Sequence, residues 1–104
     1  RMPAPLPRQE VRGAPSTAWH EAARTGRLPE LERLLQQGAD LNAPDDAGRT
    51  ALVLAVIHGH SAMVQRLLAL GANPALVDRE GLNALQHARR LGREEIVRML
   101  EAAS

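Results

Sequence analysis

Four histidines, His20, His58, His60 and His87, are the side chains in this chain best suited to metal or acid–base chemistry. A closed zinc site needs three or four convergent ligands. His58 and His60 flank Gly59 at the expected end of a helix, so their rings need not converge. His87 is expected on a terminal surface. There is no Cys, so three histidines from separate segments would have to meet, and no metal site is expected. Ser16, Ser61 and Ser104 fall at a chain start, a helix start and the C-terminus, without the strained elbow of a serine nucleophile. The carboxylates of Asp45-Asp46 and Glu94-Glu95 are sequence neighbours, so they diverge instead of forming an acid–base pair. The first pair opens a turn and the second enriches a helix N-terminus. Phosphate loops rich in Gly are absent, and so is the lysine that such loops and Schiff bases require. No catalytic residue and no cofactor is expected, and the chain reads as a non-enzyme.

The elements around these residues follow from composition and pattern. A length of 104 residues suits one domain. The chain is 44% apolar yet has Trp19 as its single aromatic residue. A core of Leu, Ala, Val, Ile and Met fits close-packed short helices better than a sandwich or barrel, so the expected class is all-α. All thirteen basic residues are Arg, and the formal net charge is +1. Residues 1–52 hold seven Arg and seven acids, and residues 53–104 hold six Arg and five acids. No basic half or stripe is visible, which argues against nucleic acid as a partner. No apolar run approaches the ~20 residues of a membrane span. The chain starts at Arg1 with no visible signal peptide. A cytoplasmic location is favoured, with the periplasm as the alternative if a signal peptide has been removed.

Residues 1–15 hold Pro3, Pro5, Pro7 and Pro15 without helical periodicity, and are expected to form an extended or disordered arm. The remainder, 16–104, repeats with a period of 33 residues. Asp45 falls on Asp78, Gly48 on Gly81, Leu52 on Leu85, Ala55 on Ala88, Gly59 on Gly92, Val64 on Val97 and Leu67 on Leu100. In the other direction Thr50 meets Thr17, Gly59 meets Gly26, and Gly71-Ala72 meet Gly38-Ala39. The units run over about 16–44, 45–77 and 78–104, a solenoid of helix–turn–helix repeats joined by hairpin-like turns. First helices are predicted near 17–25, 50–58 and 83–91, second helices near 29–37, 62–70 and 94–102. Pro29 suits a first helical turn, and Gly38 and Gly71 suit the residue after a helix end. Glu94 and Arg98 are spaced for an i,i+4 pair.

Over about residues 16–104 the sequence resembles ankyrin repeats. That family's pattern reads roughly Asp-x-x-Gly-x-Thr-Pro-Leu-His-x-Ala-Ala-x-x-Gly-His, then Val-x-x-Leu-Leu, then Gly-Ala-Asp-x-Asn. The middle unit matches at Asp45, Gly48, Thr50, Leu52, Ala55, Gly59, His60, Val64, Leu67, Leu68, Gly71, Ala72 and Asn73. Thr17, His20, Ala22, Ala23 and Gly26 carry the first unit, Asp78, Gly81, Leu85, Ala88 and Gly92 the third. Ala18, Ala51 and Ala84 replace the family's proline, and its turn histidine survives only at His20. The resemblance implies that His20 and His60 are structural, and that units two and three are stapled less firmly. It also implies that Trp19 fills a core position given to Leu in the family.

The end units depart from the middle one. Leu54 is replaced by Glu21 before it and His87 after it, and Val56 by Arg89. Solenoid ends must be polar where inner units bury apolar surface, so we expect a capped array of about three units that is a finished domain. Pro15 and Arg12 stand where the first unit's turn would have Gly and Asp.

The resemblance further implies a concave binding surface made of turn tips and the exposed side of first helices. Carried over by position, the tips supply Asp46, Ala47, Arg49, Arg79, Glu80 and Leu82, and the helices supply Arg24, Thr25, Ile57, His58, Arg90 and Leu91. Arg49, Ile57 and Arg90 are expected to face solvent, so that changing them leaves stability nearly unaltered. The implied function is a non-catalytic, monomeric adaptor that binds another protein. The alternative is a regulatory or immunity-type subunit dedicated to one partner enzyme.

Overall fold

In the computed structural model, which describes residues 18–103, two of the helices begin at a side-chain cap. Thr50, in extended conformation, accepts a hydrogen bond from the Val53 N–H and starts α3 (Ala51–Ile57). Asn83 and Gln86 form a reciprocal capping box at the start of α5 (Ala84–Arg90). The other helices are α1 (Ala18–Thr25), α2 (Leu28–Gln36), α4 (Ser61–Ala69) and α6 (Glu94–Ala103). The described residues therefore form six helices in three antiparallel pairs, without a strand. The all-α solenoid expected from the 33-residue period is the observed fold.

First helices stack in the order α1, α3, α5, and α6 packs on α4. The stack is close because Ala22, Ala23, Ala51, Ala55, Ala84 and Ala88 line the contacts and are fully buried or nearly so. Helix α3 has neighbours on both sides as well as α4 behind it, which explains why six of its seven residues are buried. Leu31, Leu52, Leu67 and Leu100 are enclosed between layers, each worth about 1.5–3 kcal/mol of apolar burial. Trp19, 4% exposed, belongs to this core as the resemblance implied.

Hairpin-like turns link the pairs. The Asp45 N–H donates to the Arg49 carbonyl and the Asp78 N–H to the Leu82 carbonyl, each at 3.0 Å. One oxygen of each Asp accepts two further backbone N–H bonds inside its turn. The Arg79 N–H then reaches the Ala47 carbonyl at 2.9 Å and joins one tip to the next. Gly38 and Gly71 follow α2 and α4 with positive φ, as expected. The expected Glu94–Arg98 pair does not form; the ion pair made by α6 is Arg89–Glu101 at 2.8 Å. The Pro-rich arm at 1–15 and the departures at Arg12 and Pro15 lie outside the described residues.

Candidate protein-binding face

The 33-residue period places Arg24, Ile57 and Arg90 in one column, and Thr25, His58 and Leu91 in the next. Arg24, Thr25, His58, Arg90 and Leu91 are exposed, Leu91 at 42%. At the tips Asp46, Arg79 and Glu80 are exposed, while Ala47 and Leu82 are half-buried. Arg24 pairs with Glu21 one turn earlier, and the Thr25 hydroxyl donates to the Glu21 carbonyl at 2.8 Å. The hydrogen bond from Arg24 holds the Glu21 carboxyl below its ordinary range, and the same bond raises Arg24.

Ile57 and Arg49, like Ala47 and Leu82, do not simply face solvent. Ile57 is half-buried against the core. The Arg49 side chain is only 28% exposed and lies 3.4 Å from both the Asp78 and Glu80 carboxylates. It bridges the second and third units. Long side chains fold onto neighbouring tips when a carboxylate is offered there, so a solvent-facing reading of Arg49 fails.

The largest correction concerns His87. Expected on a terminal surface, it is 1% exposed. Its Nε2 lies 2.6 Å from Asp78 Oδ2, and the Asp78 side chain is fully buried. His87 therefore turns into its own unit. Burial alone would raise the Asp78 carboxyl, but the His87 hydrogen bond, the Leu82 and Glu80 N–H groups and the His87 charge hold it at about 2. The signal available in the sequence was a histidine nine positions after a turn aspartate, in the column where the middle unit has Leu54.

Glycines at the helix–helix turns admit a second set of inter-unit bonds. Gly26 and Gly59, both at φ 75°, put no Cβ beneath the next unit. The His60 ring covers Gly26, within 2.7 Å of where a Cβ would stand, and its Nε2 meets the Arg24 carbonyl at 2.9 Å. Arg93 covers Gly59 in the same manner and donates to the carbonyls of Val56 at 3.2 Å and Ile57 at 2.7 Å. The implied loss of stapling is therefore made good by other residues. The Asn42 side chain accepts from the Asn73 N–H at 2.9 Å, and Arg93 and Arg49 tie unit three to unit two, while His20 holds the Ala43 carbonyl at 2.8 Å within unit one. The His58 and His60 rings stack with centroids 6.4 Å apart, closer than their spacing around a glycine required. Burial lowers the His58 pKa, and the positive charges of Arg24, His60, Arg93 and Arg49 lower it further.

Among the described residues, Asp78, Glu80 and His87 have ligand-type atoms within 4.8 Å of one another. The 2.6 Å separation of His87 from Asp78 is that of a hydrogen bond, and Arg49 already sits against both carboxylates. The guanidinium thus occupies the place a cation would take. A shallow cavity of about 360 Å³ lies beside Ala88, Arg89, Gly92, Glu94, Val97 and Arg98, and brings no nucleophile to a base.

Stacked helix pairs with hairpin tips bonded tip to tip define a helical repeat protein. The chain belongs to the ankyrin-repeat family: the family model for three copies of the repeat matches residues 13–103. It is 40% identical over 95 residues to the ankyrin repeat domain-containing protein SAT10 of Stachybotrys chartarum, covering 91% of this chain and 5% of that protein. Over 58 residues it is 50% identical to the human mitochondrial disaggregase, covering 56% of this chain and 8% of that protein. A putative ankyrin repeat-containing protein of Treponema pallidum is 41% identical over 73 residues, covering 70% of this chain and 24% of that protein. The chain thus spans less than a quarter of the length of these relatives. Ankyrin repeats are non-catalytic modules that mediate protein–protein interaction. No helix among the described residues is long and apolar enough to cross a membrane.

Proposed function

We propose that this domain, as a monomer, binds a protein partner through the concave face formed by the hairpin tips and the exposed side of the first helices. The observation that carries the reading is the alignment, on one rigidly bonded face, of Arg24, His58, Arg90 and Leu91 from three successive units. Leu91 is an exposed apolar side chain beside Arg90, which makes no ion pair among the described residues, a mixture that suits a modest interface in which Arg is favoured. Nucleic acid is not the partner in this reading, because the only aromatic side chain is buried and the net charge is +1.

The test is affinity capture with the 104-residue chain, followed by measurement of binding to each protein identified. Leu91→Glu should weaken the partner by at least tenfold, roughly 1.4 kcal/mol. Gln65→Glu, on the exposed side of α4, should leave it nearly unchanged. Loss of binding in the α4 variant alone would place the interface on the opposite side. A single catalytic protein recovered in every capture would favour the dedicated regulatory subunit over the general adaptor.

A further inference from the structure

The turns joining first to second helices read Arg24-Thr25-Gly26-Arg27, Ile57-His58-Gly59-His60 and Arg90-Leu91-Gly92-Arg93. Every turn carries Arg or His at recurring places, and none carries an acid. The bonds from His60 to the Arg24 carbonyl and from Arg93 to the Ile57 carbonyl tie the turns into one row. At the opposite ends of the first helices the hairpin tips carry Asp45, Asp46, Asp78 and Glu80 against only Arg49 and Arg79. The turns themselves are therefore basic and the tips acidic, with Glu30, Glu94 and Glu95 following in the first turns of α2 and α6.

Within the row, Glu21 neutralises Arg24. Arg27 and Arg90 are exposed and make no ion pair among the described residues. Arg93 meets only backbone carbonyls, and Glu94 and Glu95, which open α6, do not pair with it. Arg27 and Arg90 thus lie along one edge without a salt-bridge partner among the described residues, while Glu21 acts at longer range on Arg27 and Glu94 and Glu95 border the same surface as Arg93. Helices pack about 8–10 Å apart, which sets the spacing of successive turns. A chain in the polyproline II conformation has three residues per turn and advances about 3.1 Å per residue, so every third side chain of a partner faces the same way and about three residues span one helix–helix turn to the next. A nucleic acid strand fits less well: Trp19, the single aromatic residue, is buried and offers no base a stacking surface, and the acidic tips repel a polyanion.

We propose that this row of helix–helix turns binds an extended acidic segment of a partner protein, whose carboxylates recur about every third residue and meet Arg27, His58 and Arg90 with Arg93. The inference rests on the reading of the domain as a protein-binding module and adds the chemistry of the partner.

The experiment uses the 104-residue chain and a fluorescein-labelled peptide of about ten residues with Glu at every third position and Ser between. Fluorescence anisotropy should show binding that weakens as salt rises. Arg27→Glu with Arg90→Glu should weaken it by roughly tenfold or more. Arg98→Glu, at an exposed position on α6 without an ion pair among the described residues, should change it less than about twofold. In the complex, the His58 ring resonances should titrate at higher pH than in the free protein, because bound carboxylates favour the imidazolium. The proposal is overturned if the peptide does not bind at low salt, if Arg98→Glu weakens it as much as the paired change, or if His58 titrates unaltered. Tighter binding of a single-stranded oligonucleotide of equal charge would also overturn it. A captured partner that depends on Leu91 but is not displaced by the peptide would leave the protein-binding reading standing and remove only the acidic segment.

Discussion

Replacing Asp78 with Asn probes the buried centre that joins the second and third units. The change keeps Oδ1, which accepts the Glu80 and Leu82 N–H groups at 2.9 and 3.2 Å, so the turn itself should survive. It replaces Oδ2, which faces His87 at 2.6 Å and Arg49 at 3.4 Å, by an uncharged amide NH2 that can only donate. Hydrogen bonds to a charged group are worth about 1.5–3 kcal/mol. Lowering the carboxyl from its ordinary 3.8 to about 2 corresponds to about 2 kcal/mol, which agrees with that range. Because the folded pKa is depressed, this stabilisation is complete above the ordinary carboxylate pKa and is lost as pH falls through about 2. Urea unfolding, followed by far-ultraviolet circular dichroism and by Trp19 fluorescence, measures both effects. The variant should lose roughly 2 kcal/mol at pH 7, with a melting temperature lower by on the order of 10 °C. Between pH 4 and 2 its stability should fall less steeply than that of the native chain. Both signals should shift together, although Trp19 reports only the first unit, because neighbouring units are coupled. A loss under about 0.5 kcal/mol at pH 7, within the scatter of surface substitutions, or parallel acid limbs in the two proteins, would refute the reasoning.

Three further outcomes follow from the same geometry. Gly92→Ala should cost only the left-handed backbone penalty of about 1 kcal/mol, since nothing lies within 4 Å of its new Cβ. Gly26→Ala should cost clearly more because it displaces the His60 ring, and equal losses in chemical denaturation would deny the staple. Leu67→Ala, at a fully buried position on α4, should destabilise by about 2–5 kcal/mol in the same assay. Calorimetric titration with zinc should give no stoichiometric submicromolar site, because Arg49 already bridges Asp78 and Glu80; a tight isotherm abolished by His87→Ala would reverse that reading.

The sequence alone determined the repeat. A 33-residue period in Gly, Ala and Leu sets helix ends and buried columns through local rules, since a glycine after a helix and an apolar stripe act within one unit. The six helices accordingly stand within a residue or two of where the pattern puts them. Trp19 in the core and the turn role of His20 were legible through the resemblance to the repeat family. What a side chain does between units was not legible. His87 looked like an end cap by column comparison, yet the tertiary fold turns it onto Asp78, because a buried imidazole must find a partner and its own turn offers the nearest carboxylate. Arg49 looked like a solvent-facing contact residue and proved to be an inter-unit bridge. The basic row was hidden as well: counting Arg and acids by halves of the chain shows balance. Only the stacking of one unit on the next gathers every 33rd residue onto the same edge.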